Sequence, residues 1–344
     1  MSTHSTPYSC ISTPATLVHD GAIHDFEDPR HEYQTPPAPI MSSSEHLLIC
    51  TACGTQFDAE ERSILTRCRI CDDPRQFVPP GGQAFTTLAS LKAGVNIRTN
   101  GNRQRAVLIK TPLGNVLWDC ITYLDDETVD WIHGLGGLAA IVISHPHYYT
   151  THLDWAEIFD CPVYLSWEDK SWLNRLDRMG KARTFIEGKE EELEIRGEKT
   201  GVKMLKLGGH FPGSLVCLAH ERLLVADTLV TTPSALGDWS KGPGGGRNTR
   251  PDGMNSYAFM WSIPNMIPLS ADEVAEMWEV LKPHGFSSTH GAFVGTDVFD
   301  GSNGSEKGVK QRVLESMQIQ VRRMGWSSHV FLKENLDDQE EEVL

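Results

Sequence analysis

Four cysteines limit what this chain can fold into more than any other feature. Cys50 and Cys53 stand in "CTAC", Cys68 and Cys71 in "CRIC", and fourteen residues separate the pairs. Two residues between thiolates let one tight turn aim both sulfurs at the same ion, and two such turns close a tetrahedral shell. Four thiolates leave no open coordination position, so the expected ion is a structural zinc. In so short a module, residues 46–84, the ion supplies much of the folding free energy. Two disulfides or a redox pair are the alternatives. The opening "MSTHSTPYSC" lacks the basic and apolar regions of a secretion signal, which favours reduced thiols and a cytoplasmic setting. Cys120 and Cys161 adjoin apolar runs and are expected to be buried as small hydrophobes.

The 344 residues suit one large domain with appendages. Residues 1–45 are rich in Ser, Thr and Pro and read as an irregular arm. From 85 to 330 the pattern is that of a mixed α/β domain. "AVLIKTPLGNVLWDC" reads as a hairpin turning at "PLGN". "ETVDWIHGLGGLAAIVISH" reads as a helix, a Gly turn and a buried strand, and "THLDWAEIF" as a helix before the strand "CPVYLS". "SADEVAEMWEVLKPHGF" is a helix opened by Ser270 with Glu273 three residues on, a capping box. "EKGVKQRVLESMQIQVRRMG" is a last amphipathic helix, and 331–344 is an acidic tail. "GDWSKGPGGGRNTRPDG", 237–253, lacks the order of a phosphate loop and reads as a surface loop or a mobile flap.

A net charge of −15 sets the chain against phosphate backbones, so nucleic acid is not an expected partner. No run reaches the roughly 18 apolar residues of a membrane span. A small-molecule substrate and a homodimer are the expected partners. No Gly-x-Ser-x-Gly elbow supports a serine hydrolase.

"ISHPHYYTTHLDWAEIF" then carries the chemistry. His145 and His147 are one residue apart just past a strand, so both rings can face one ion. "GGHFPGS" presents His210 at another strand end, where two glycines allow close backbone approach. "LLVADT" ends an apolar strand in Asp227, and "SSTHGAF" presents His290 between small residues. Each falls at a strand end or in a loop, where sites are built.

This order resembles the metallo-β-lactamase superfamily over about residues 85–300. The four-cysteine ribbon, the "HPHYY" loop and "PNMIPL" at 264–269 resemble one branch of it. The resemblance implies an αββα sandwich behind a small N-terminal zinc ribbon, with metal held above the sandwich edge. The common loop of that family is HxHxDH, whereas here Tyr149 and Thr150 occupy its Asp and second His positions. One catalytic zinc is therefore expected on His145, His147 and His210 with Asp227 as fourth ligand. His290 is a weaker ligand, His152 an occasional one, and a second catalytic metal is doubtful. His152 is otherwise expected on a helix turn with its ring in solvent. Asp119, after "NVLW", is expected to brace the loop histidines.

Three imidazoles with one more ligand match catalytic zinc, whose water has its pKa drawn towards about 7. Tyr148 and Tyr149 are expected at the rim, as phenols able to donate to a developing charge or as packing groups. Trp239 and Trp261 flank the Gly-rich insertion and are candidates to line a pocket. The expected activity is hydrolysis of a lactam, lactone or related cyclic amide or ester, such as a xenobiotic, by metal-bound hydroxide. A mononuclear non-haem iron oxygenase acting on a sulfur substrate is the alternative, since two His and one carboxylate suit Fe. A non-catalytic zinc-binding interaction protein is the third reading.

Overall fold

Runs with a period of two build strands in this chain, and runs with a period near 3.6 build helices. The computed structural model describes residues 16–19, 22–24, 44–93, 104–178, 180–238, 253–302 and 305–336. Most of the Gly-rich insertion, Trp239 included, and the acidic tail from 337 lie outside the described residues. By contact the chain divides into two units, Met1–Tyr164 with Trp172–Thr184 and Leu165–Ser171 with Phe185–Leu344.

In the first unit, β1 (Thr16–His19) and β2 (Ala22–His24) form an antiparallel hairpin. This corrects the expectation of an irregular arm. β1 pairs in parallel with Val107–Thr111, because an edge strand leaves a row of backbone groups for any nearby extended chain. The cysteine module pairs β3 (Ile49–Cys50) with β4 (Phe85–Thr86), and α1 (Leu88–Lys92) follows, capped by the Thr87 hydroxyl. The "PLGN" hairpin forms as expected between β5 (Val107–Thr111) and β6 (Gly114–Trp118), with Thr111 opposite Gly114.

The chain then crosses through α2 (Asp126–Gly134) to β7 (Ala140–Val142), which lies parallel to β6. Asp125 caps α2 by accepting from Thr128 N at 2.8 Å. Asn115 Nδ2 donates to Leu135 O and Gly137 O, closing the Gly turn against the sheet. α3 (His152–Phe159) leads to β8 (Val163–Ser166), parallel to β7, and β9 (Arg183–Ile186) ends the sheet. Among the described residues this sheet has seven strands in the order β2-β1-β5-β6-β7-β8-β9.

In the second unit, β10 (Glu190–Ile195), β11 (Glu198–Lys206), β12 (Leu215–Ala219) and β13 (Arg222–Leu224) form an antiparallel meander. The short strand β14 (Val230–Thr231) and helix α4 (Pro233–Leu236) follow. β14 pairs with β15 (Tyr257–Ala258), and β16 (Met260–Ser262) pairs with β17 (Ile267–Pro268). α5 (Ala271–Leu281) leads to β18 (Ser288–His290), parallel to β13, and β19 (Val298–Phe299) pairs with β18. The main sheet of this unit runs β10-β11-β12-β13-β18-β19. α6 (Val309–Arg323) closes the described chain's helices.

Spacing decides which helix faces are buried. Val274, Met277, Trp278 and Leu281 of α5 recur at three and four residues, as do Val309, Val313, Met317 and Val321 of α6. Together they pack on Leu205, Val216 and Leu223 from the sheet. Each such side chain contributes about 1.5–3 kcal/mol on burial.

The mixed α/β class and the N-terminal cysteine module agree with the sequence. The capping box is present, with Glu273 N donating to Ser270 Oγ and Ser270 N donating to Glu273 Oε2. Ser270→Ala is expected to cost about 1 kcal/mol. Urea unfolding reads this as a lower midpoint at unchanged slope.

Candidate metal centre

The four cysteines converge. Their sulfurs lie within 4.8 Å of one another and all four residues are buried. Cys50 Sγ is 3.6 Å from Cys71 Sγ, and Cys53 Sγ is 3.6 Å from Cys68 Sγ. An ion about 2.3 Å from each sulfur places neighbouring sulfurs about 3.8 Å apart. All four thiols are free, so the disulfide alternative is not what forms. Each CxxC is a tight turn: Gly54 N donates to Cys50 O at 2.8 Å, and Asp72 N to Cys68 O at 3.0 Å. Gln83 ties the second turn down, accepting from Cys68 N and donating to Asp72. Hydrogen bonds from Cys53, Cys68 and Cys71 hold the Cys50 thiol well below the usual range. Burial pushes Cys53 up, and the Cys50 bond does the same to Cys71.

In the first unit, the parallel pairing of β6 with β7 builds the histidine loop. Trp118 lies opposite Val142, so Asp119 comes beside Ser144. Asp119 takes a left-handed backbone (φ 62), which Asp tolerates, and its N–H donates to Val142 O at 2.8 Å. Its carboxylate accepts from Ser144 N at 2.7 Å and from Ser144 Oγ at 3.0 Å. That spends the only proton on the serine hydroxyl. Ser144 Oγ, 2.9 Å from His145 Nδ1, must then accept from the ring. His145 is thereby held with its proton on Nδ1. The brace expected of Asp119 is present and works through Ser144. His147 lies with its ring centroid 4.9 Å from that of His145, and both are buried.

In the second unit, β11 and β13 run in the same direction and β18 is parallel to β13. Their C-terminal ends, with His210, Asp227 and His290 at or just beyond them, therefore share one sheet edge. His210 sits in the tip between β11 and β12. Gly208 and Gly209 are both left-handed there, and a Cβ on Gly209 would lie 2.6 Å from Leu269 and 2.8 Å from Thr228 Oγ1. Thr228 Oγ1 donates to Gly208 O, and Asp169 Oδ1 accepts from Gly213 N at 3.0 Å. His210 Nδ1 is 2.9 Å from Trp261 O, a pure acceptor, so the ring proton lies on Nδ1. His210 Nε2 then faces Asp227 Oδ2 at 3.8 Å. That separation is too long for a hydrogen bond and suits two ligands of one ion, which at about 2.0–2.1 Å from it stand about 3.4 Å apart.

Not every expected residue joins this pattern. His290 turns Nε2 to Ser288 Oγ at 3.0 Å and Nδ1 to Asp297 Oδ1 at 3.4 Å, so both ring nitrogens face protein groups. Tyr148 and Tyr149, expected at a rim, are instead buried, at 1% and 3% exposure. Tyr148 packs edge-on against His145 and Tyr149 lies beside His152. Apolar ring area outweighs the phenol's preference for water in a loop wedged between strand and helix. Trp261 is recruited through its backbone carbonyl. Cys120 and Cys161 are buried as expected, and burial pushes the Cys161 thiol up to about 12.

Ser144, Thr228 and Asp169 escaped the sequence reading. The first two adjoin the candidate residues His145 and Asp227, which is a usable signal. Asp169 is remote in sequence from His210 and carries none.

His152 is also corrected. Its ring is buried rather than in solvent. Nδ1 donates to Tyr149 O and Nε2 accepts from Arg183 Nε at 2.9 Å. Burial, then the Arg183 charge, lowers its pKa to about 3. The unfolded chain, with a His pKa near 6.5, binds a proton that the folded chain refuses. The stability this group contributes is complete above about pH 6.5 and falls as pH drops towards 3, by up to about 1.4 kcal/mol per unit. His152→Gln is expected to flatten that part of the stability profile between pH 6.5 and 4, measured by urea unfolding at each pH.

No family model matches the chain. Similar solved structures include a B3 metallo-β-lactamase with an active-site glutamic acid, 13% identical over 66% of this chain and 86% of that one, with a TM-score of 0.38. A mutant flavo di-iron protein from Thermotoga maritima is 16% identical over 62% of this chain and 53% of its own, with a TM-score of 0.37. A quorum-quenching N-acyl homoserine lactone lactonase is 19% identical over 35% of this chain and 59% of its own, with a TM-score of 0.28. The chain thus spans about half the length of the flavo di-iron protein. Among curated proteins, the uncharacterized protein YmaE of Bacillus subtilis (strain 168) is 34% identical over 268 residues, which is 71% of this chain and 88% of YmaE. The chain belongs to the same family as YmaE.

Proposed function

We propose, from the order of HxH, GGH and an Asp after an apolar strand in the sequence, that His145, His147, His210 and Asp227 hold one metal ion and that the protein is a metal-dependent hydrolase. The observation that carries this is the matched tautomer of two histidines. His145 and His210 each spend Nδ1–H on an acceptor, and that tautomer is the one in which Nε2 can ligate a metal. Asp227 adds the negative charge, and it is half-buried while the three histidines are buried.

Three imidazoles and a carboxylate fit zinc, which when bound supplies Lewis acidity and acidified water. The residues of the chain do the rest. The Asp119–Ser144 pair orients His145, and Tyr148 packs its ring in place. Asp227, as the member open to solvent, is placed to take a proton from the attacking water. The cyclic amides and esters named above, lactams and lactones, are the proposed substrates. They rest on the likeness of the "HPHYY" loop and its distant partners to the metallo-β-lactamase pattern. Iron in the same donor set is the rival, because two His and one carboxylate suit either metal.

Metal analysis separates these readings. Two zinc ions per chain are expected, one lost in Cys50→Ser and the other in His145→Ala. One iron and one zinc would favour the oxygenase, and an ion at the cysteines alone would overturn both. Lactam and lactone turnover, abolished in His210→Ala, is the expected activity.

Asp119→Asn removes one of the two carboxylate oxygens that accept from Ser144. Affinity at the histidine set is expected to fall about 10- to 100-fold, read by chelator competition.

A further inference from the structure

The cysteine module and the histidine loop lie in the same unit, and contacts that serve neither ligand set tie them together. Gln56 N, three residues past Cys53, donates to Thr150 O, three residues past His147, at 3.2 Å. Thr122 Oγ1 donates to Gly54 O at 3.3 Å, and Thr151 Oγ1 donates to Thr122 O at 2.9 Å. Gly54 packs so closely that a Cβ there would lie 1.9 Å from Thr122 Oγ1.

The Gln56 side chain is itself anchored at both ends. Nε2 donates to Ser44 O at 3.1 Å, and Oε1 accepts from Arg175 Nη1. That guanidinium also donates to Asp154 Oδ1 of α3 at 2.8 Å and stands 3.6 Å from Asp58 of the module.

Thr150 shows why the loop needs holding. Its φ is +28°, a backbone state that a β-branched residue avoids. Such a residue stays in place only where its surroundings over-determine it. Here Gln56 N takes its carbonyl and Cys120 O takes its hydroxyl. Gln56 follows the turn that carries Cys50 and Cys53 and bridges back to Ile49, so its position depends on the cluster.

We propose that the four-cysteine module is a positioning element for the histidine loop. With its ion in place it holds residues 144–152 in the ligating conformation through Gln56 and Gly54. Ion binding at the cysteines and at the histidines is therefore positively coupled. The inference rests on the reading that both sets hold an ion. Linkage makes the coupling reciprocal: each site raises the affinity of the other by the same factor.

The test uses the full chain with cobalt(II), whose thiolate charge-transfer band reports the cysteine set and whose weaker bands report the histidine set. Hydrogen exchange of residues 144–152 is followed in parallel. Gln56→Pro with Thr122→Val removes the Gln56 N–H and the Thr122 hydroxyl that make the tie and leaves every ligand in place. The expected result is an unchanged thiolate band, histidine-set affinity weakened about tenfold and exchange in 144–152 faster by a similar factor. In the reverse direction, His145→Ala is expected to lower the cysteine-set affinity about tenfold. Wild-type affinity and exchange in the double variant, with the thiolate band intact, would overturn the proposal. A wild-type chain with no histidine-set signal would sink the metal reading by itself. Exchange then decides: faster exchange in the double variant still supports positioning, and unchanged exchange refutes it.

Discussion

The parallel pairing of β6 with β7 is the constraint on which the candidate site depends. A parallel register fixes two strand ends side by side, and here those ends carry Asp119 and Ser144. One residue of slip would turn every side chain to the opposite face. The register is secured by burial on both faces, since Val116, Leu117, Ile141 and Val142 are all at 0% exposure. Hydrophobic packing thereby determines which nitrogen of His145 carries its proton, through a carboxylate and a hydroxyl that sit where the strands end.

Four histidines show how far environment divides one residue type. His145 and His210 are each held by an acceptor at Nδ1. His290 has protein groups at both nitrogens. His152 is a neutral acceptor for a half-buried arginine. An imidazole bonded on both sides, as His152 is, stabilises the fold and has nothing left for an ion. The difference lies in what the neighbouring strand or helix presents, and spacing along the chain does not encode it.

The cysteine module illustrates the reverse case, in which local sequence suffices. Two CxxC turns bring four thiolates together with little help from the rest of the chain, because each turn spans only four residues and closes its own backbone bond. Its apolar residues Phe57 and Ile70 add a small core around the sulfurs. What local sequence does not reveal is where such a module docks. Gln56 and Gly54 carry that information through backbone atoms, which have no signature in side-chain patterns.

The sequence by itself determined the α/β class, the "PLGN" hairpin, the capped helix at Ser270 and the residues worth asking about. Periodicity, caps and short spacings are local physics and survive without tertiary context. The tertiary structure alone decided that His152 is buried beside Arg183, that Tyr148 and Tyr149 are walls, that β1 and β2 join a sheet edge, and that Ser144 and Thr228 bond beside His145 and His210. These outcomes depend on groups distant in the chain meeting across strand ends and on the burial that follows. Free energies of burial and pairing belong to the assembled neighbourhood rather than to any segment of it.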